Sequence, residues 1–216
     1  MHCSDSQAIA DDCLLIFARY PRPGQVKTRL IPALGAAAAS NLYRRLAEHT
    51  LAQVRLLRQR HPLAITLWFT GDDATALKAW LGEDIDYQPQ VAGDLGDRLQ
   101  GAFQHAFGQG YRRVVAIGTD CPELNAQLLW QGFQALTHHE LVLGPATDGG
   151  YYLIGLQRAV AELFHEIPWS TATVLQQTVA VANRLGLCYG QLPPLTDVDT
   201  PEDLDICHRI LSVPPV

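Results

Sequence analysis

Apolar residues follow two rhythms along this chain, short unbroken runs and longer stretches spaced three or four apart, and the two rhythms alternate. Cys13-Leu-Leu-Ile-Phe-Ala18, Ala64-Ile-Thr-Leu-Trp-Phe69, Val114-Val-Ala-Ile117, Leu141-Val-Leu-Gly-Pro145 and the residues following Gly150 read as strands. They contain too few polar positions for half-solvated strands, so helices are expected on both faces of the sheet. Ala36 to Arg58, with Leu42, Leu46, Leu51, Val54 and Leu57 at helical spacing, predicts a long amphipathic crossover helix. Shorter helices are predicted over Ala74 to Leu81, Leu99 to Phe107, about Glu123 to Leu136, Ser170 or Thr171 to about Leu185, and Pro201 to about Leu211. A last short strand is predicted at Leu187 to Gly190. The alternation points to an α/β domain.

Composition narrows the class. The 216 residues are 48% hydrophobic, enough for one full core. Residues 1–12 are expected to be a flexible start and 13–216 a single domain. A net charge of -6 without a basic cluster argues against a nucleic-acid surface, though a single nucleotide fits. Five cysteines, scattered and without a C-x-x-C, encode neither a disulfide framework nor a zinc site, and suit a reducing cytoplasm. No apolar run approaches the roughly 20 residues of a membrane span, and residues 1–12 are too polar for a secretory signal.

Candidate chemistry collects at the ends of the runs, where open α/β sheets bind ligands. Gly118-Thr-Asp120-Cys-Pro122 delivers a carboxylate from a buried strand; Asp120 either faces a ligand or caps the helix expected near Glu123. After the first run, Pro21, Pro23 and Gly24 shape a loop carrying Lys27-Thr28-Arg29. Two cations and a hydroxyl suit a wrapped phosphate, the alternative being a solvated basic turn. Val26 precedes Lys27 where a P-loop requires glycine, so this is not a Walker loop. Gly93-Asp94-Leu95-Gly96-Asp97-Arg98 reads as a glycine-rich turn able to approach a base or phosphate closely. Asp148-Gly149-Gly150 reads as a tight turn beside a ligand or as an ordinary β-turn. Asp197 and Asp199 alternate on an extended stretch and offer hard oxygens of the kind Mg²⁺ takes, while Asp199 or Thr200 also suits a helix cap. Asp72-Asp73 fits a helix start better than a metal site, and His138-His139 fits a solvated turn.

Taken in order, Phe17-Ala-Arg-Tyr-Pro-Arg-Pro-Gly24-Gln-Val-Lys27-Thr28-Arg29-Leu, Gly93-Asp-Leu-Gly-Asp-Arg98, Gly118-Thr-Asp120-Cys-Pro122, Gly144-Pro-Ala-Thr-Asp148-Gly-Gly150 and Asp197-Val-Asp199-Thr-Pro-Glu-Asp203 resemble the nucleotide-diphospho-sugar transferase superfamily. They are most similar to its bacterial branch described as GT-A glycosyltransferases, including radical-SAM/selenodomain-associated transferases. The likeness spans about residues 13 to 211. It implies a three-layer α/β/α GT-A fold, Rossmann-like, with a mixed, mostly parallel sheet and nucleotide at the strand C-termini.

By resemblance, Gly24, Lys27, Thr28 and Arg29 hold phosphates, with Gly93, Leu95, Gly96 and Arg98 completing the nucleotide site. Asp120 and Asp199 hold Mg²⁺ or Mn²⁺, and Asp148, Gly149 and Gly150 face the substrate. Lys27, Arg29, Asp120 and Asp148 are the catalytic set. The substrates implied are a nucleoside triphosphate or nucleotide sugar and a small acceptor. Two departures pull opposite ways: Gly118 replaces the first aspartate of the Asp-x-Asp usual in glycosyltransferases of this fold, and the first loop lacks the Gly-x-Gly-Thr-Arg form typical of sugar-nucleotide synthetases. Glycosyl and nucleotidyl transfer both stay open, beside two alternatives, a phosphohydrolase and a non-catalytic nucleotide-binding module. A haloacid-dehalogenase-like phosphatase would carry its aspartates after the first strand, whereas here they come late.

Overall fold

Where an apolar run is unbroken, both faces of the strand it forms are covered. The computed structural model describes residues 10–71 and 74–211, and seven strands there form one sheet: β1 (Asp12–Arg19), β2 (Ala64–Thr70), β3 (Asp86–Pro89), β4 (Arg113–Ile117), β5 (Leu141–Pro145), β6 (Tyr151–Leu156) and β7 (Tyr189–Gln191). Their order is β3-β2-β1-β4-β6-β5-β7. β1 pairs parallel with β2 and β4, β2 with β3, and β5 with β7, whereas β6 runs antiparallel to both β4 and β5. The sheet is mixed and mostly parallel, as the resemblance implies.

The helices are α1 (Ile31–Leu34), α2 (Ala36–Arg58), α3 (Ala74–Leu81), α4 (Leu95–Gly108), α5 (Ala126–Ala135), α6 (Val174–Arg184) and α7 (Leu204–Leu211). Successive side chains of a strand point to opposite faces, and β1 divides accordingly. Leu14 and Ile16 pack with Leu51 and Val54 of α2, Leu77 of α3 and Phe133 of α5. Cys13 and Leu15 pack with Leu99 and Phe103 of α4 and Ala182 of α6. Each fully buried leucine contributes roughly 1.5–3 kcal/mol by leaving water. A third cluster of Leu30, Ala39, Leu46, Val198 and Cys207 binds α7 and the last loop to α2.

Several boundaries differ from the sequence pattern, each for a local reason. β1 starts at Asp12, whose buried carboxylate pairs with Arg113 at 2.5 Å. β3 escapes the pattern because Asp-Tyr-Gln-Pro is polar and lies at the sheet edge. α4 begins at Leu95, four residues early, because Asp94 and Asp97 form a reciprocal capping box; the glycine-rich segment is thus largely a helix start. α5 begins at Ala126, with the Asn125 side chain accepting from the amides of Gln127 and Leu128. Asn125, not Asp120, is therefore its cap. α6 begins at Val174, beyond Ser170 and Thr171; the Thr171 hydroxyl donates to the Pro168 carbonyl instead. At the last loop the cap is Thr200. Asp72 and Asp73, like residues 1–9 of the expected flexible start, lie outside the described residues.

Candidate active site

The first loop is shaped so that Lys27 folds back over the strand ends. Gly24 supplies a positive φ of 82° that a side chain would resist, and the Gln25 amide closes the turn onto the Arg22 carbonyl. Val26 and Leu30 are buried on either side of the cation, and the Ser40 hydroxyl donates to the Pro21 carbonyl. Lys27 itself adopts a left-handed conformation, φ 47° and ψ 45°.

Its ammonium meets two carboxylates from distant segments. Nζ lies 2.5 Å from Asp120 Oδ1 and 2.8 Å from Asp199 Oδ1, with the lysine side chain 4% exposed and the carboxylates 40% and 44% exposed. Arg29 approaches Asp199 Oδ2 at 3.8 Å and is otherwise open to solvent. Burial alone would lower the lysine pKa, but the charges of Asp120 and Asp199 outweigh it and hold the group above its ordinary value. Lys27 is an ammonium ion at any physiological pH.

Backbone bonds fix the two aspartates. The Val198 amide donates to the Asp120 carbonyl at 2.9 Å, which stitches the last loop to the end of β4. The Asp199 and Thr200 amides and the Thr200 hydroxyl all donate to Asp203 Oδ2, at 3.0, 2.7 and 2.9 Å. The cap thereby uses Asp203 and leaves the Asp199 carboxylate for Lys27.

Two adjoining cavities open here. One of about 330 Å³ runs along the strand ends and is lined by Phe17, Gln90, Leu95, Arg98, Tyr151 and Asp197, among others. A smaller one of about 220 Å³ lies within the first loop, against Gln25, Lys27, Thr28, Arg29 and Asp199. Arg19, Tyr43 and Asp120 border both, so they are compartments of one cleft. The second carries the cations Lys27 and Arg29.

Of the residues singled out in the sequence, Lys27, Thr28, Arg29, Asp120 and Asp199 converge on this cleft, and Leu95 and Arg98 line its larger part. Gly24 shapes the loop without lining it. Gly93 and Gly96 line neither cavity. A Cβ on Gly93 would strike the Asp97 side chain at 2.2 Å, and one on Gly96 the Phe164 carbonyl at 2.5 Å, so packing explains both glycines. Asp148, Gly149 and Gly150 also stand outside both cavities. Asp148 Oδ1 accepts from the Gly150 amide at 2.8 Å, and the Gly149 carbonyl accepts from Leu175 at 2.9 Å, as a β-turn docked on α6 requires.

Among the lining residues to which the sequence assigns no role are Arg19, Tyr43 and Gln90. Arg19 is the first residue beyond an apolar run, a position that strand-end logic could have found. Tyr43 projects from α2, and its hydroxyl accepts from the Arg19 amide at 2.9 Å; nothing in its spacing signals this. Gln90 directly follows β3, a strand absent from the sequence pattern, and its side-chain amide donates to the Trp68 carbonyl at 2.9 Å.

Asp197 lines the cleft but bonds inward, to the Cys121 thiol. Burial, reinforced by the charges of Asp120 and Asp148, pushes its carboxyl from 3.8 up to about 6. A proton held more tightly in the folded state stabilises below the unfolded pKa and ceases to do so as pH rises through about 6. Asp197→Asn is therefore expected to melt like the wild type at pH 4 and to be more stable by about 2 kcal/mol at pH 8. Denaturant titrations at the two pH values measure this, and a gain independent of pH would exclude the carboxyl as its source.

Among the described residues, no three His, Cys, Asp or Glu side chains are grouped to hold a metal ion, and no helix is long and apolar enough to cross a membrane.

Comparison with known proteins adds four findings. A family model described as "Uncharacterized protein conserved in bacteria (DUF2064)" matches residues 51–171. The crystal structure of a "putative nucleotide-diphospho-sugar transferase" from Desulfovibrio desulfuricans is 38% identical, covering 93% of this chain and 87% of that one, with a TM-score of 0.86. A curated relative, phosphoenolpyruvate guanylyltransferase of Chloroflexus aggregans, is 24% identical over 119 residues, which span 55% of this chain and only 59% of the relative. At the level of fold, a Mycobacterium tuberculosis protein solved in complex with manganese aligns over 94% of this chain and 100% of its own, at 16% identity and a TM-score of 0.57.

Proposed function

We propose, given that the chain belongs to the DUF2064 family of conserved bacterial proteins, that it transfers a nucleotidyl group from a nucleoside triphosphate to a small acceptor with the help of Mg²⁺ or Mn²⁺. The chain is a transferase of the nucleotide-diphospho-sugar type. One observation carries the finer reading. The carboxylates of Asp120 and Asp199 converge on the same ammonium, at the junction of a strand-end cavity with a loop that presents Lys27, Thr28 and Arg29. That is a place for phosphates. Two hard carboxylates with room for phosphate oxygens also fit a Mg²⁺ ion, which seldom demands an all-protein cage.

In this reaction an acceptor oxygen forms a bond to the α-phosphorus while the bond to the bridging oxygen breaks, and pyrophosphate leaves. A divalent ion on Asp120 and Asp199 would supply positive charge to the triphosphate as negative charge builds on the leaving group. Lys27 and Arg29 add cations on the loop side, and Arg19 adds a third at the boundary of the two cavities. The larger cavity then takes base and ribose against Phe17, Gln90, Leu95 and Arg98. Glycosyl transfer would instead need a donor-sugar subsite; the Asp148 turn, expected to admit the sugar or the acceptor, lines neither cavity and so does not separate the two reactions. The curated relative is named for guanylyl transfer, which favours nucleotidyl transfer.

Incubating the enzyme with Mg²⁺, small phosphorylated or hydroxylated acceptors, and either triphosphates or nucleotide sugars distinguishes the reactions by their products. Pyrophosphate is expected from the triphosphates. Nucleoside diphosphate released from nucleotide sugars would mean glycosyl transfer, and neither product with tight nucleotide binding intact would mean a binding module. Arg29→Ala should weaken triphosphate binding about 10- to 100-fold, the worth of one charged hydrogen bond, and leave the nucleoside unaffected. Calorimetric titration with both ligands measures it, and equal weakening would remove Arg29 from the phosphates.

A further inference from the structure

We infer that Lys27 occupies the divalent-cation position of the resting enzyme, so that the metal ion enters together with the phosphates that draw the lysine away. This rests on the assignment of Asp120 and Asp199 as the metal's carboxylates. The geometry is that of a competitor. A single ammonium bridges the Oδ1 atoms of both aspartates at 2.5 and 2.8 Å. Mg²⁺ would need the same oxygens at about 2.0–2.1 Å. A dication there would stand within a few ångströms of the ammonium, and even in a half-open cleft that leaves the two cations in strong repulsion. Either cation can hold the pair, but not both.

The lysine is also placed for the role. Its side chain is 4% exposed whereas both carboxylates are about ten times as open, so it holds them from the protein side while metal and nucleotide come from solvent. It adopts a left-handed backbone conformation that residues with a Cβ seldom take, a sign that the surroundings specify where its side chain reaches. It also borders the smaller cavity with Thr28 and Arg29, so phosphate oxygens arriving there offer its ammonium replacement partners. Substrate binding then moves Lys27 from carboxylates to phosphate and opens the cation position in one event. The resting enzyme binds free metal poorly. An ammonium in place in about nine molecules of ten lowers apparent metal affinity about tenfold.

Titration of Mn²⁺ into nucleotide-free protein, read by electron paramagnetic resonance of the free ion, tests this without turnover. Lys27→Met and Lys27→Gln are each expected to bind Mn²⁺ at least tenfold more tightly than the wild type, and adding Asp199→Asn to either should abolish the gain. If both single variants fold and bind Mn²⁺ no better than the wild type, the inference is wrong. Should they unfold when metal-free, restoration of a cooperative melt by Mn²⁺ supports it and failure to restore one overturns it. The underlying site assignment fails separately: Mn²⁺ binding by the Lys27→Met protein would then be untouched by Asp120→Asn and Asp199→Asn.

Discussion

Asp120→Asn is expected to lower kcat for pyrophosphate release by about 10³-fold while leaving the melting temperature close to that of the wild type. On the proposed nucleotidyl transfer, the magnitude is that of removing one preorganised charge from the point where charge would develop in the transition state. The side chain is 40% exposed and caps no helix, and Lys27 keeps Asp199 as a partner, so stability has little to lose. Asparagine keeps the shape and one oxygen but carries no charge to offer a cation. Pyrophosphate release under saturating triphosphate, alongside a thermal melt, separates the two quantities. Activity within tenfold of the wild type would remove Asp120 from the reaction, and a collapsed melt with proportionate loss would make its role structural.

The largest stability effect is expected at Gly149, away from the cleft. Its φ is +91°, and a Cβ there would lie 2.1 Å from the Ala172 carbonyl oxygen, a backbone atom with no rotamer to retreat into. The left-handed conformation costs an L-residue about 1–2 kcal/mol and overpacking about 1–3 more. Gly149→Ala should therefore destabilise by about 3 kcal/mol or more, a large share of what a domain of this size has to spare. Gly24→Ala is the control, because its φ is +82° but nothing lies within 4 Å of the added carbon. It should lose only the conformational part. Guanidinium titrations of the two proteins measure the difference, and equal losses would mean that the turn yields to the added methyl.

That contrast marks what was legible in the chain and what was not. The strands of the sheet centre could be read directly, since Leu14, Ile16, Val115 and Leu143 are buried by a pattern that needs no partner to be recognised. β3 could not, because an edge strand needs no apolar run. The glycines have a tertiary reason that the sequence does not show. Gly96 and Gly149 suggested room for a ligand, but each makes room for the protein's own segment, Phe164 with Trp169 in one case and Ala172 in the other. Such contacts are tertiary and leave no local trace. Lys27, Asp120 and Asp199 were legible as separate strand-end and loop residues. Their meeting was not: Lys27 and Asp199 are 172 residues apart, and only the strand order brings them together.

The amide of Val198 donating to the carbonyl of Asp120 has a consequence for how the enzyme fails. Half of the carboxylate pair belongs to the last stretch of chain, which is tied to the rest by that bond, by backbone bonds of Leu192 and Leu195 along β5, by the Lys27–Asp199 pair and by a cluster around Leu30, Leu46 and Cys207. A segment at the margin of the fold, outside the strand ladder beyond Leu195, opens at lower free energy than the sheet beneath it. Mild denaturant, warming or a protease acting after Val198 should thus inactivate the enzyme while its sheet persists. The amide proton of Val198, exchanging with solvent only when that end lets go, would time the loss.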